Sequence, residues 1–442
     1  MKALLKGGRV IDPSKGIDGH RDVAIEEGIV TQIDRDLVVP DETQVIEVPS
    51  SCVICPGFID PHVHLREPGQ EHKETVATGS AAAVVGGFTA VACMPNTNPI
   101  NDNAGVTEFI LKKASEADLA RVYPIGAVSI GSNGEQLAEI AELKSAGCVA
   151  ISDDGRPVAT ALLMRRAQEY ANMFGMAVID HCEVHSLSGD GVVNEGHQAA
   201  LAGLHGIPSA AEEIMVERDV TLAGVTGAAV HIAHLSSAGS LRAVASGKER
   251  KIRVTCEVTP HHFTLTDESV ASYDTNFKMK PPLQESEDQQ ALIQGLKDGT
   301  VDMIATDHAP HHHDEKSMEF DRAPFGIVGL ETAVSLTLDR LVHTGVIGLS
   351  RLVELMAANP ARVLGVVGGT IEVGAPADLT ILAPDLSVTV RASAFRSKSK
   401  NTPFDGWKLH GGVAGTIVGG RSVFINGDVS GMDTFKVLRR DG

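Results

Sequence analysis

At 442 residues with a net charge of −19, the chain is long enough for a large domain plus a smaller one, and its acidity argues against nucleic acid and anionic membranes as partners. No apolar run approaches the ~20 residues of a membrane span, and the opening Met-Lys-Ala-Leu-Leu-Lys-Gly-Gly is too short an apolar stretch for a signal peptide. The six cysteines are scattered, and Cys52-x-x-Cys55 has no second pair to complete a zinc ribbon, so a cytoplasmic protein with reduced thiols is expected.

Residues 1–55 read as short strands, at 3–5, 10–11, 22–25, 29–33 and 43–48, parted by Gly, Pro and Asp turns. Glu27-Gly28 between two alternating runs predicts a hairpin turn. From Pro56 the texture changes to short apolar strands alternating with segments of helical period, the pattern of βα units and a parallel sheet. Strands are expected around 59–65, 90–94, 122–128, 149–153, 177–181, 230–234, 254–258 and 303–307. Between them Leu163, Ala167, Tyr170 and Phe174 form one helical stripe closed by Gly175. Leu137, Ile140 and Ala141 do the same before Gly147, as do Leu292, Ile293 and Leu296 before Gly299.

Eight such units predict a (β/α)8 TIM barrel over 56–365. A doubly wound open sheet is the alternative, but the Gly-x-Gly-x-x-Gly turn it calls for is missing. From 366 to 442 short strands return around a polar run at 393–403. Residues 1–55 and 366–442 are therefore expected to form one small β-sandwich beside the barrel.

Barrel strands open on the catalytic face at their C-terminal ends. The expected strand ends carry His62, His64 and Arg66, then Asn96, Asp153-Asp154, Asp180-His181, His234 and Asp307-His308. Singly, an Asp at a strand end caps a helix and a His fills a polar gap. Four of these histidines, 62, 64, 181 and 234, with two of the aspartates, 153 and 307, at one end of different strands instead point to zinc or another borderline divalent ion. Their number exceeds the three protein ligands usual for one catalytic zinc. A metal pair about 3.5–4 Å apart, sharing a carboxylate and a hydroxide, uses them all and suits amide hydrolysis or its reversal.

The motifs Pro-Gly-Phe-Ile-Asp-Pro-His-Val-His-Leu-Arg-Glu-Pro-Gly (56–69), Met-Pro-Asn-Thr-Asn-Pro (94–99), Ser-Asp-Asp-Gly (152–155) and His-Cys-Glu (181–183) belong together with three later ones. These are Thr-Asp-His-Ala-Pro-His (306–311), Ala-Pro-Phe-Gly-Ile-Val-Gly-Leu-Glu-Thr (323–332) and Lys-Asn-Thr-Pro-Phe-Asp-Gly-Trp (400–407). Over essentially the whole length the chain resembles the amidohydrolase superfamily and, within it, the type I (long-chain) dihydroorotases. The resemblance implies two Zn2+ or other divalent ions. His62, His64, Asp153 and Asp307 would hold one, and His181, His234 and the shared Asp153 the other. It implies Asp307 as general base and acid, and Arg66, Asn96 and His311 as the clamp for a substrate carboxylate beside His64. The Phe325-Gly326 backbone would line the rest of the pocket. The implied activity is reversible cyclisation of N-carbamoyl-L-aspartate to L-dihydroorotate in pyrimidine biosynthesis. A homodimer and association with aspartate transcarbamoylase are the implied partnerships.

Two positions depart from the family pattern. Lys280 stands where an Asn usually contacts the pyrimidine ring, and Gln284 where an Arg is usual. Three rival readings remain at this stage. Hydantoinases and allantoinases share the fold but bridge their metals with a carboxylated lysine on strand 4, where this chain has none. Deaminases of the superfamily typically hold one metal and need no shared carboxylate. A catalytically silent dihydroorotase-like partner of the transcarbamoylase would have lost ligands, whereas here each ligand position is filled.

Overall fold

The protein is described by a computed structural model covering residues 2–438; Met1 and 439–442, the outermost residues of the two segments expected to form the sandwich, lie outside the described residues. The first segment gives β1 (Lys2–Asp12), β2 (Ile17–Glu26), β3 (Ile29–Asp34), β4 (Gln44–Glu47) and β5 (Val53–Pro56). Glu27 and Gly28, at φ 50° and 83°, make the expected hairpin turn between β2 and β3. β4 and β5 both run parallel to β1, one on each half of it.

Ten short strands follow. β6 (Phe58–Val63), β7 (Phe88–Cys93), β8 (Arg121–Gly126), β9 (Ala150–Ser152) and β10 (Ala177–Asp180) come first. A two-stranded ribbon, β11 (Val193–Asn194) and β12 (Gly206–Ile207), precedes β13 (Val230–Ile232), β14 (Val254–Val258) and β15 (Met303–Ile304). The ribbon apart, these strands lie in chain order as one eight-stranded parallel sheet. β15 is only two residues long, so closure of the barrel falls to the chain beyond it. Asp60 accepts hydrogen bonds from the Thr306 amide (3.1 Å) and hydroxyl (2.6 Å), and the His64 amide donates to the His308 carbonyl (2.9 Å).

The barrel interior is packed by small and branched residues, Ile59, Ala92, Ile125, Ala150 and Ile179 among them. The opposite strand faces, such as Val91, Val122 and Ile151, meet the surrounding helices. Helix Ala161–Met173 forms where the stripe predicted one, but its buried centre is Met164, Ala167 and Ala171. Leu163, Tyr170 and Phe174 flank that centre half-buried.

The last segment returns as β16 (Leu379–Thr389), β17 (Lys408–Val418) and β18 (Arg421–Ile425). β16 pairs antiparallel with β5, Leu379 opposite Pro56 and Leu382 opposite Val53, which joins the two chain ends in one eight-stranded sheet. That sheet has its own apolar core around Leu5, Ile25, Ile54, Ile381 and Ile417. Between β16 and β17 the polar run reaches back over the barrel. Ser397 and the Lys398 amide bond Glu74, and Asn401 bonds the chain at 309–326.

Candidate metal centre and active site

The expected strand ends converge, with one exchange. Asp153 is not in the site. Its carboxylate accepts from the Val128 and Ser129 amides (2.9 and 3.1 Å) and from the Ser129 hydroxyl, all on the chain following β8. Asp154 takes the central place: its Oδ1 lies 3.5 Å from His62 Nε2, 3.7 Å from His234 Nε2 and 3.8 Å from His181 Nδ1, and its Oδ2 3.6 Å from His64 Nε2. The reason is the period of the strand. Ala150 packs in the barrel interior and Ile151 against the helices, so even-numbered residues face in and odd-numbered ones face out. That alternation was available in the sequence and would have chosen Asp154.

The strand also ends earlier than expected. β6 stops at Val63, so His64 and Arg66 lie beyond it and do not share a regular strand face. Arg66, His234 and Asp307 have φ of 62°, 31° and 47°, the left-handed region that costs a non-glycine residue energy. All three line the same cavity of about 360 Å3, together with His64, Lys280 and Phe325.

Around Asp154 the side chains are held from behind. His64 Nε2 is 2.9 Å from Asp307 Oδ1, and its Nδ1–H donates to Asn96 Oδ1 (2.9 Å). Asn96 Nδ2 donates to Asp154 Oδ2 (3.2 Å), so both ends of this amide orient the cage. His62 Nδ1 is 2.9 Å from Glu257 Oε1, and Glu257 Oε2 is 3.1 Å from His231 Nε2. His181 Nε2 is 3.2 Å from Glu183 Oε2, leaving its Nδ1 2.8 Å from His234 Nε2. Glu183 and Glu257 were missed in the sequence. The signal for Glu257 was a charged residue inside the apolar run Val-Thr-Cys-Glu-Val, since a buried charge needs partners.

These groups fit divalent ions. His62 Nε2 and Asp154 Oδ1 are buried and make no hydrogen bond, although they face one another. His62, His64 and Asp307 form one group whose ligand atoms lie within 4.8 Å of each other, and His62, Asp154 and His234 form another. Four buried carboxylates, Asp154, Glu183, Glu257 and Asp307, outnumber the cations Arg66 and Lys280 at the cavity. Burial opposes charge on His62, yet Asp154, Glu257 and Asp307 together hold its pKa well above the ordinary value. Burial raises Asp307, but the hydrogen bond from His64 and the nearby histidines outweigh it and hold this carboxyl low. A cage of this polarity draws cations. A further buried trio, Asp180, Cys182 and Asp219, is compensated by Arg218, whose Nε lies 2.7 Å from Asp219 Oδ1.

On the other wall, burial lowers Arg66 to about 10, still charged at neutral pH. Its Nε donates to the Pro310 carbonyl (3.1 Å), which turns the rest of the guanidinium to the cavity. His311 Nε2 lies 2.8 Å from the Phe325 carbonyl; as the donor there, it leaves Nδ1 as the buried acceptor. Gln284 bonds the Ser209 and Ser236 hydroxyls and does not reach this cavity. His312 and His313 are exposed on the loop outside. His261 and His262 are buried, with His262 tied to Thr259 and the Pro281 carbonyl.

The imidazoles and carboxylates thus gather at the mouth of a (β/α)8 barrel. Solved structures agree in fold: an L-hydantoinase (dihydropyrimidinase) from Arthrobacter aurescens superposes with TM-score 0.87 at 25% identity, covering 97% of both chains. A dihydropyrimidinase from Brevibacillus agri superposes with TM-score 0.85 at 23% identity, covering 96% of this chain and 95% of its own. A family profile described as Dihydro-orotase-like matches residues 51–240. The dihydroorotase of Citrifermentans bemidjiense is 53% identical over 424 residues, 96% of this chain and 100% of its own. That of Syntrophus aciditrophicus is 52% identical over 425 residues, 96% of this chain and 99% of its own. The chain belongs to the dihydroorotase family.

Proposed function

We propose that this chain interconverts L-dihydroorotate and N-carbamoyl-L-aspartate, with two divalent ions, zinc foremost, held by His62, His64, Asp154, His181, His234 and Asp307. The observation that carries the reading is the pairing, in one cavity, of a cation-seeking cage with the Arg66 guanidinium opposite it. Ions bound there supply a Lewis acid for the amide carbonyl and a water of lowered pKa. Arg66 binds the substrate carboxylate through its planar fork and fixes the ring over the cage. Lys280 and Phe325 bound the ring's other edge, beside the Gly326 backbone. Asp307 takes a proton from the attacking water and delivers it to the leaving ring nitrogen; in cyclisation it runs the same transfer backwards.

A dihydroorotase reading is favoured over a hydantoinase one by the strand that would carry a bridging lysine. β9 and the residues after it hold Ser152, Asp153 and Asp154, and Lys144 sits exposed on the preceding helix. The scaffold reading loses ground because the six proposed ligands converge. Metal-loaded protein given L-dihydroorotate, N-carbamoyl-L-aspartate, hydantoin and allantoin in separate assays should turn over the first two and leave the neutral rings nearly untouched. Turnover of hydantoin or allantoin without dihydroorotate would overturn the assignment, and no turnover of any would favour the scaffold. A cytoplasmic homodimer working beside aspartate transcarbamoylase is the accompanying proposal.

A further inference from the structure

His181 is held through a chain of contacts that ends at the cavity wall. Its Nε2 faces Glu183 Oε2 at 3.2 Å, and the other oxygen of that carboxylate, Oε1, lies 2.8 Å from Lys280 Nζ. Glu183 is 5% exposed, so its charge has almost no water to rely on. His185, the other nearby cation candidate, is 3.6 Å away and mostly in solvent. Lys280 is the closer and the permanently charged partner, and it is anchored in turn by the Phe325 ring, 5.1 Å from its nitrogen.

The polarity along this chain has one sense. A carboxylate only accepts, so Glu183 requires the proton on His181 Nε2 and leaves the lone pair on Nδ1. Nδ1 is the atom that lies 2.8 Å from His234 Nε2 and 3.8 Å from Asp154 Oδ1. Removing Lys280 would leave Glu183 a buried charge with one neutral partner, free to turn away from His181 towards any better donor.

We propose that Lys280 is a positioning residue: by pairing with Glu183 it fixes the tautomer and orientation in which His181 presents Nδ1 to a divalent ion. This rests on the metal-centre reading above and extends it from the cage to the substrate-facing wall. A residue on the substrate-facing wall would then brace the metal side of the site.

The test uses Zn2+ alone, without substrate. Full-length protein stripped of metal is titrated with Zn2+ in a chelator buffer, comparing wild type with Lys280→Met, Lys280→Arg and Glu183→Gln. Loss of an outer partner of a ligand histidine typically weakens metal affinity 10–100-fold. Lys280→Met should weaken the second of two binding steps about tenfold, Glu183→Gln at least as much, and Lys280→Arg should stay within about threefold of wild type. Steady-state kinetics of Lys280→Met should then depend on Zn2+, with the shortfall in kcat against wild type shrinking as Zn2+ is raised to saturation. Unchanged zinc affinity in Lys280→Met overturns the proposal, as does a raised KM for dihydroorotate with zinc affinity intact, which marks a plain substrate contact. Should Lys280→Met fail to fold, the isosteric Glu183→Gln decides alone, and unchanged affinity there overturns it equally. If wild type binds two Zn2+ but does not open dihydroorotate, the proposed reaction fails while this link is still read from the titration.

Discussion

His62 and Glu257 face each other across the barrel, Nδ1 to Oε1 at 2.9 Å, with both side chains fully buried. The same carboxylate accepts from His231 on the adjacent strand, 3.1 Å from its Oε2, so one Glu on β14 orients a proposed metal ligand from β6. Burial drives this carboxyl up, but the hydrogen bonds from His231 and His62 outweigh it and hold it at about 2.

Glu257→Gln should therefore remove a pH-dependent source of stability. The folded carboxyl lies at about 2 against an ordinary 4.5, so between these values the folded state binds fewer protons than the unfolded one. Its contribution, up to roughly 3 kcal/mol, is fully present above pH 4.5 and lost as pH falls towards 2. Urea unfolding of metal-free protein should show wild type well above Glu257→Gln at pH 7, with the gap shrinking at pH 4 and below. A gap that is constant with pH would remove the charge from the explanation.

Arg66→Lys separates clamp from chemistry. Lysine keeps the charge but not the planar fork, so KM for dihydroorotate should rise tenfold or more, with a smaller fall in kcat. Any residual turnover of hydantoin, which has no carboxylate to clamp, should be unchanged. Equal damage to both substrates would mean that Arg66 supports the cage.

Asp307→Asn should behave in the opposite way. Asparagine cannot carry the proton, so kcat should collapse by 10^2-fold or more in both directions while substrate still binds. Because hydrolysis releases a proton and cyclisation consumes one, the measured equilibrium for wild type should move towards N-carbamoyl-L-aspartate as pH rises. Wild-type-like kcat in Asp307→Asn would move the base elsewhere.

Asn401 ties the C-terminal segment to the active-site loop. It accepts from the His311 amide (3.2 Å) and donates to the Ala309 and Gly326 carbonyls (3.0 and 3.1 Å), all buried. Asn401→Ala leaves the His311 amide and the Ala309 carbonyl unpaired, while the Gly326 carbonyl keeps Lys316 Nζ, at a cost of about 2 kcal/mol. The melting temperature should fall by a few degrees and KM should rise, since both Ala309 and Gly326 border the substrate cavity. A stable variant with native KM would show that the tie is dispensable.

Much of this architecture was readable because it rests on local periodicity. Alternating short strands and helical stripes announced the barrel, and histidines placed at strand ends announced its mouth. The choice between Asp153 and Asp154 was legible on the same local ground, although it was missed: Ala150 faces the barrel interior, and the alternation carried past the three-residue β9 puts Asp154 on the inward face. The partners of Glu257 and Asn401 were out of reach for a different reason: their contacts span 195 and 90 residues in sequence, and only the closed barrel shows that Glu257 backs His62 or that Asn401 holds His311.

Asp154 takes the place that the sequence assigned to a shared Asp153 in the proposed two-ion centre, and metal stoichiometry tests that placement most directly. Purified wild-type protein reconstituted with Zn2+ and dialysed should retain close to two ions per chain. Asp154→Ala should lose both together, while Asp153→Ala, whose carboxylate only braces the Val128–Ser129 turn, should retain them with some loss of thermal stability. Retention of two ions by Asp154→Ala, or their loss in Asp153→Ala with the fold intact, would contradict the account.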